Sequence, residues 1–546
     1  MGRLRGNPWA VLAILILGFF MTLIDLTIVN IAIPKMTDDL GTSLDEVLWV
    51  VNAYTLVLAI FIISAGRLGD LRGKSTIYLA GVALFTLASL ACGLADGPGQ
   101  LIAFRAVQGL GAAMLIPQTL SLIAEIFPAE KRGVALGIWG GVAGLSGAVG
   151  PTIGGVLVEN LSWRWVFYVN LPIGVVALLA GMAIMPRSGR AVRHRYDVGG
   201  VLLVSALLFC LTFALIEGER YDWNGWIWAL LGASAVLLAV FLGYEATQQD
   251  KEPLLPFTLF RDRNFAIVNF VGVAVSFGVL GLLLPTTIYL QSVLEFSALK
   301  TGLVLVPLAI GSVVTAGPAG VLAEKFGGRL VLALGLTLFG AGITWVSLAA
   351  GPDSGTWTFI PPLFVAGLGA GCTFAPMASE VMRNVPVRLV GAASGVNNAL
   401  RQVGSVVAGA IVAAVLQSQL ISQLRDHAES GAAALPAQYR GGFVDGFTSL
   451  DAQALQVGTG HATSGITGVP EGVMNTIAEL SDRVFRDSFV QALQPTMLVP
   501  AGVMFVGAIC CLALKPGPPP AGSAHGLPVP ETGTETDQSG TGVRVV

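Results

Sequence analysis

The sequence predicts an all-α membrane protein with fourteen membrane-crossing helices, and three observations carry that reading. Only 12% of its 546 residues are Asp, Glu, Lys or Arg, while 54% are hydrophobic and the mean hydropathy is +0.76; the charged share is about half that of an ordinary soluble domain. Glycine contributes 69 residues, as suits helices that approach closely in lipid. Apolar stretches recur along the chain, each of about 19 residues or more and so long enough to cross ~30 Å of hydrocarbon. A soluble enzyme, a nucleic-acid binder and a disulfide-stapled domain are all disfavoured. The net charge of −3 offers no attraction to polyanions. The five cysteines lie in or beside apolar stretches without metal or disulfide spacing.

In chain order the stretches are 9–33, 47–65, 76–94, 101–126, 134–158, 166–185, 198–216 and 226–244, then, after a polar loop containing Pro253, 266–289, 302–323, 330–350, 359–381, 392–416 and 496–514. The first has too long an apolar run for a signal peptide, and no small-residue cleavage site follows it. An even number of crossings puts both termini on one side. Loops on that side hold twenty of the 30 Lys and Arg residues and the opposite loops hold eight, so both termini are expected in the cytoplasm.

The chain repeats itself. A shift of 258 positions carries Gly109, Leu110, Gly111 and Ala112 onto Gly367, Leu368, Gly369 and Ala370, and a shift of 254 carries Gly66, Leu68 and Gly73 onto Gly320, Leu322 and Gly327. The expected organisation is a six-helix bundle over residues 9–185, two inserted helices over 198–244 and a second six-helix bundle over 264–515. Residues 417–495 read as a long extracytoplasmic loop, mostly rich in small residues. Near its end Ile477, Leu480, Val484, Ser488 and Ala492 have the spacing of a surface helix. Residues 516–546, rich in Pro, Gly and Thr, read as a disordered tail. Paired repeats about a membrane axis suit a transporter that rocks around a midplane site.

Charge inside a span is costly and therefore a functional candidate. Asp25, Arg105 and Arg401 lie well inside, whereas Glu125 and Glu380 stand at span ends where they can reach water. Asp25 is eight residues from the outer end of span one, about 12 Å. Arg105 is some four residues into span four from the same side, about 6 Å. Asn52, Tyr54 and Gln108 fall in the same layer. Burial favours a neutral carboxyl and a neighbouring arginine favours a charged one, so Asp25 is positioned to carry a proton; a purely structural Asp25–Arg105 pair is the alternative. In the second half Asn397, Asn398 and Arg401 share a helix face. They either line a cavity or hold helices together.

Two further patterns stand out. The loop GRLGDLRGK sets Gly66 and Gly73 seven residues apart around Asp70 and Arg72, and the loop from Gly320 to Arg329 echoes it. In span five, GLSGAVGPTIGG places Gly144, Gly147, Gly150, Pro151, Gly154 and Gly155 at short intervals, a groove free of side chains beside a proline kink. Its counterpart in the second half lacks the pattern, with Ala408 and Gly409 at the places of Gly150 and Pro151.

These residues resemble the major facilitator superfamily and, within it, the fourteen-span drug:proton antiporters, over roughly Trp9 to Leu514. LIDLTIVNIAIP (Leu23–Pro34) resembles the first-span motif that carries the branch's embedded acid, here Asp25. GRLGDLRGK is similar to the superfamily loop motif, whose acid, here Asp70, locks one state against the start of a second-half helix. LIAFRAVQGLGAA (Leu101–Ala113) resembles the fourth-span motif, which assigns proton transfer to its arginine, here Arg105. GPTIGG resembles the fifth-span antiporter motif, and WRWVFYVNLPIG (Trp163–Gly174) is also typical of the branch. Ser75 departs from the loop motif, where a second basic residue is common.

The resemblance implies the major facilitator fold, two six-helix bundles plus two inserted helices. It implies a monomer in the cytoplasmic membrane that exchanges protons for small amphiphilic compounds, without metal or cofactor. The absence of deep second-half carboxylates fits neutral, weakly charged or monocationic substrates. No nucleotide-binding GxxxxGK[ST] run is present, and no nucleophile, metal or paired-carboxylate set suggests an enzyme. A dedicated exporter of a self-made natural product, lipid or metabolite is the alternative, and a proton-linked importer is disfavoured by the span-five motif.

Overall fold

The computed structural model describes residues 7–42, 44–186, 197–218, 220–221, 223–249, 253–386, 389–448 and 471–515. The expected tail at 516–546 lies outside them. Every regular element among the described residues is a helix. The first half contains α1 (Pro8–Leu40), α2 (Leu44–Arg72), α3 (Lys74–Gly93), α4 (Pro98–Ile126), α5 (Ala129–Asn160), the single turn α6 (Trp165–Tyr168) and α7 (Asn170–Ile184). Then come α8 (Val198–Glu217) and α9 (Gly225–Gln248). The second half contains α10 (Phe257–Arg261), α11 (Arg263–Ser292), α12 (Ala298–Phe326), α13 (Gly328–Ala349), α14 (Thr356–Met382), α15 (Val390–Ala432), α16 (Ala437–Thr448) and α17 (Glu471–Cys511).

Short polar side chains start several of these helices by accepting hydrogen bonds from first-turn amides: Asn7 for α1, Asp197 for α8, Asn224 for α9, Asp262 for α11 and Ser297 for α12. Among the described residues, thirteen helical stretches are long and apolar enough to cross a bilayer, with α6 and α7 together making one. The remaining expected span, 134–158, falls on the 32-residue α5.

The two halves are built alike. In the first, α4 packs on α2 and α3, α1 on α5, and α7 on α1 and α3; in the second, α14 packs on α12 and α13, α11 on α15, and α17 on α11 and α13. The glycines of the sequence repeat make the equivalent contacts. A side chain on Gly109 would strike the backbone of Tyr54 in α2, and one on Gly367 the backbone of Leu308 in α12. Gly111 likewise abuts Phe85 in α3, and Gly369 abuts Phe339 in α13. Gly73 and Gly327, 254 positions apart, have left-handed backbone at φ 96° and 86°, a conformation that favours glycine. The halves meet where α5 packs on α12 and α14 and where α15 packs on α2 and α4. The inserted α8 and α9 pair with each other, and α8 rests on α2 and α15.

The described part of the segment expected as a loop is largely helical. α15 runs for 43 residues, about 65 Å at 1.5 Å per residue and twice the hydrocarbon thickness. Leu416, Leu420, Leu424, Ala428 and Ala432 are buried at four-residue steps along its far half. The expected surface helix is the beginning of the 41-residue α17, and its Ile477, Val484, Ser488 and Ala492 are buried as well. Ser488 donates to the Gln423 carbonyl at 3.1 Å, and Phe443 and Phe447 of α16 join the same apolar cluster. Falling hydropathy marks the end of the bilayer, not the end of a helix, so the two spans continue as a packed pair.

Candidate functional site

Four elements of the first half bring polar side chains to one sealed point. Asp25 of α1, Ser89 of α3, Arg105 and Gln108 of α4, and Asn170 at the start of α7 all have no solvent exposure. One guanidinium nitrogen of Arg105 contacts the Asp25 carboxylate and also donates to Gln108 Oε1 at 2.8 Å. Its Nε donates to the Val50 carbonyl of α2 at 2.9 Å. Gln108 Nε2 and Asn170 Nδ2 both donate to Asp25 Oδ1, at 2.9 and 3.1 Å. Ser89 Oγ accepts from the same two amides, at 3.3 and 3.1 Å, and donates to the Phe167 carbonyl at 2.9 Å. The Tyr54 ring faces the guanidinium at 4.3 Å. A buried ion pair is stabilised when its remaining hydrogen-bonding capacity is met; three side chains meet that of Asp25, while Arg105 Nη2 has no hydrogen-bond partner among the described residues.

The expected layer is therefore assembled around Asp25, Arg105, Tyr54 and Gln108. Asn52 is partly buried and, among the described residues, makes no hydrogen bond to that cluster. Ser89 and Asn170 were not anticipated. Asn170 lies within WRWVFYVNLPIG, and an amide at the start of a span was the signal available.

The loop motif closes one end of the molecule across the two halves. Asp70 forms ion pairs with Arg67 at 3.9 Å and Lys74 at 3.7 Å, and Lys74 also pairs with the exposed Glu125 at 2.9 Å. The Asp70 carboxylate lies against Gly391, where a side chain would overlap it. It thereby faces the first turn of α15, whose free amides favour an anion. Gly66 leaves just enough space for the other half, since a Cβ there would sit 3.2 Å from Gly395 Cα. Ser394 donates to the Pro117 carbonyl of α4 at 2.8 Å. Arg72 is exposed. Glu380 departs from expectation: instead of reaching water it is only 6% exposed, and it accepts from Gly328 N at 3.2 Å and from Arg383 at 2.8 Å. The turn at Gly327 brings that amide over it.

The span-five groove receives helices from both halves. Gly150 and Gly154 lie against Thr27 and Ile28 of α1, while Gly155 lies against Leu299 of α12. Gly302 of α12 in turn abuts Thr152. Gly147 and Pro151 belong to α5 but fall outside its described side chains, as does Gly144.

The second-half residues have separate partners. Asn397 donates to Asn269 of α11 at 3.1 Å, and Asn398 donates to the Ser394 carbonyl at 2.9 Å. Arg401 lies over the Phe374 ring of α14 at 5.4 Å.

Two pseudo-repeated six-helix halves, an inserted helix pair and a sealed carboxylate–arginine pair are joined by a match of residues 15–409 to the family model for the Major Facilitator Superfamily. The chain belongs to that superfamily. As a major facilitator protein it is a multi-pass membrane transporter in type. It is 36% identical over 93% of its length to an uncharacterised MFS-type transporter, Rv1250, of Mycobacterium tuberculosis, of which it covers 81%. It is 32% identical over 96% of its length to the tetracenomycin C resistance and export protein of Streptomyces glaucescens, of which it covers 95%. The crystal structure of the human organic anion transporter MFSD10 shares the fold, with a TM-score of 0.56, 10% identity, and 92% of this chain and 99% of that one covered.

Proposed function

We infer that this major facilitator protein is a proton-driven exporter of amphiphilic drugs, antibiotics or related toxic compounds, acting as a monomer in the cytoplasmic membrane with both termini in the cytoplasm. The observation that carries the reading is Asp25, a carboxylate with no solvent exposure that is held by Arg105, Gln108 and Asn170. Protonating Asp25 removes the charge that binds Arg105, and the released guanidinium must seek other acceptors. That exchange rearranges α1 against α4 and α7, and through Gly150 and Gly154 it reaches α5 and then α12. Opening towards the outside loads the proton and releases substrate. Opening towards the cytoplasm, after Asp70 leaves the start of α15, releases the proton and admits a new substrate.

One proton moving inward supplies about 2.3 kcal/mol per 100 mV and about 1.4 kcal/mol per pH unit, enough for uphill export without ATP. The printed name of the Streptomyces relative, a resistance and export protein, supports outward transport. It also favours a second reading, dedicated export of one natural product, which a substrate panel separates from broad efflux. The test is efflux of amphiphilic dyes from proteoliposomes under an imposed pH gradient. Asp25→Asn is expected to abolish gradient-driven transport while leaving membrane insertion intact. Retained uphill transport in that variant, or after the gradient is collapsed, refutes the proton role.

A further inference from the structure

This inference rests on the exporter reading and names the chemical class of its cargo. Arg401 stands 11 residues beyond Val390, the first residue of α15, which places it about 16 Å along the helix and near mid-membrane. It is unlike Arg105. Among the described residues its guanidinium forms no ion pair and no hydrogen bond, and its Nε is shut away from water without a partner. Phe374 offers its ring at 5.4 Å. Gly272 of α11 presses on the arginine stem, with room for a Cβ only 3.2 Å from Arg401 Cγ, so the side chain is held in place while remaining partly exposed.

The electrostatics are lopsided. Asp25 and Arg105 neutralise each other in the first half, leaving Arg401 as a cation at membrane depth without a counter-charge among the described residues. Such a charge is costly unless an anion reaches it. A guanidinium is a rigid planar fork that binds a carboxylate through two parallel hydrogen bonds, and the adjacent aromatic ring suits an aromatic ligand body.

We propose that Arg401 is the anion-binding group of the substrate site, and that the exported compounds are amphiphilic acids whose carboxylate or similar acidic group pairs with it while the aromatic or apolar body packs near Phe374. This departs from the sequence-based expectation of neutral, weakly charged or monocationic cargo, because a cationic substrate would face an uncompensated positive charge.

The test uses the full-length protein in phosphatidylcholine nanodiscs, with 9-anthracenecarboxylate and its methyl ester as fluorescent probes. The acid is expected to bind about tenfold more tightly than the ester, as a charge-assisted pair predicts. Arg401→Gln should bring the acid down to the level of the ester, and Arg401→Lys should keep part of the preference. Equal affinities in the unaltered protein, or a preference that survives Arg401→Gln, overturns the proposal. Discs containing phosphatidylglycerol distinguish the source of the anion: undiminished acid binding supports a solute, whereas competitive loss assigns Arg401 to a lipid phosphate and overturns the substrate claim. Proton-driven efflux of the methyl ester from proteoliposomes tests the underlying reading on its own. Ester efflux without acid preference defeats only this inference, and no efflux of either probe defeats the exporter reading.

Discussion

Gly150 of α5 lies so close to Thr27 of α1 that a single methyl group on the glycine would overlap the threonine hydroxyl. Thr27 is two residues from Asp25, and Gly155, five residues along α5, meets Leu299 of the other half. One helix thus bears on both the helix that carries the sealed carboxylate and the opposite bundle. Gly150→Ala is expected to displace α1, to lower stability by about 1–3 kcal/mol as overpacking does, and to remove most gradient-driven transport. Adding Thr27→Ala makes room and should restore part of both. Thermal unfolding and dye efflux measure the two effects, and a double variant no better than Gly150→Ala would show that the threonine fit is not what the glycine protects.

Asn170 donates to both Asp25 and Ser89. Replacing it with alanine should cost about 1.5–3 kcal/mol, the range for hydrogen bonds to charged groups. Because Ser89 belongs to the same network, Asn170→Ala and Ser89→Ala together should cost less than the sum of the two. Unfolding measurements on the four proteins of that cycle decide the point, since independent sites add to within about 0.5 kcal/mol.

The contact of Gly66 with Gly395 and Gly391 holds two halves together at one end. Gly66→Val should keep that end apart and stop transport while leaving each bundle folded. Ser394, which has no solvent exposure, reports the change. In a chain whose native cysteines are replaced by serine, a Ser394→Cys probe should resist a small maleimide when residue 66 is glycine and react readily when it is valine. Equal labelling in both backgrounds contradicts the assignment.

The packed extension of α15 and α17 depends on its buried apolar row. Leu420 is 3% exposed, and Leu420→Ala should cost about 2–5 kcal/mol locally. Hydrogen exchange is expected to accelerate over residues 417–432 and 473–495, with the membrane spans unaffected. Unchanged exchange there would mean that the extension draws its order from elsewhere.

How far these features were legible depends on what each signal measures. Hydropathy found the spans because burial in lipid is a property of each residue. It misjudged the segment after Leu416 because leaving the bilayer does not end a helix, and α15 continues to Ala432. Counting along the axis placed Asp25 and Arg105 at compatible depths, and the structure pairs them. Depth says nothing about rotation around the axis, so Asn52 was grouped with a cluster that it does not join, and Ser89 and Asn170 were passed over. The repeat was visible as spaced glycines because close backbone contact forbids a side chain at those positions, as at Gly109 and Gly367.

By itself, then, the chain determined its spans, its duplication and the identity of its one deep acid, since apolar content, glycine spacing and a costly charge are written residue by residue. Only the tertiary structure decided which groups surround that acid, that α5 serves both halves, and that Arg105 is neutralised while Arg401 is not. Those outcomes depend on distances between residues far apart in sequence, and a counter-charge stabilises an ion only where the fold brings the two within a few ångströms.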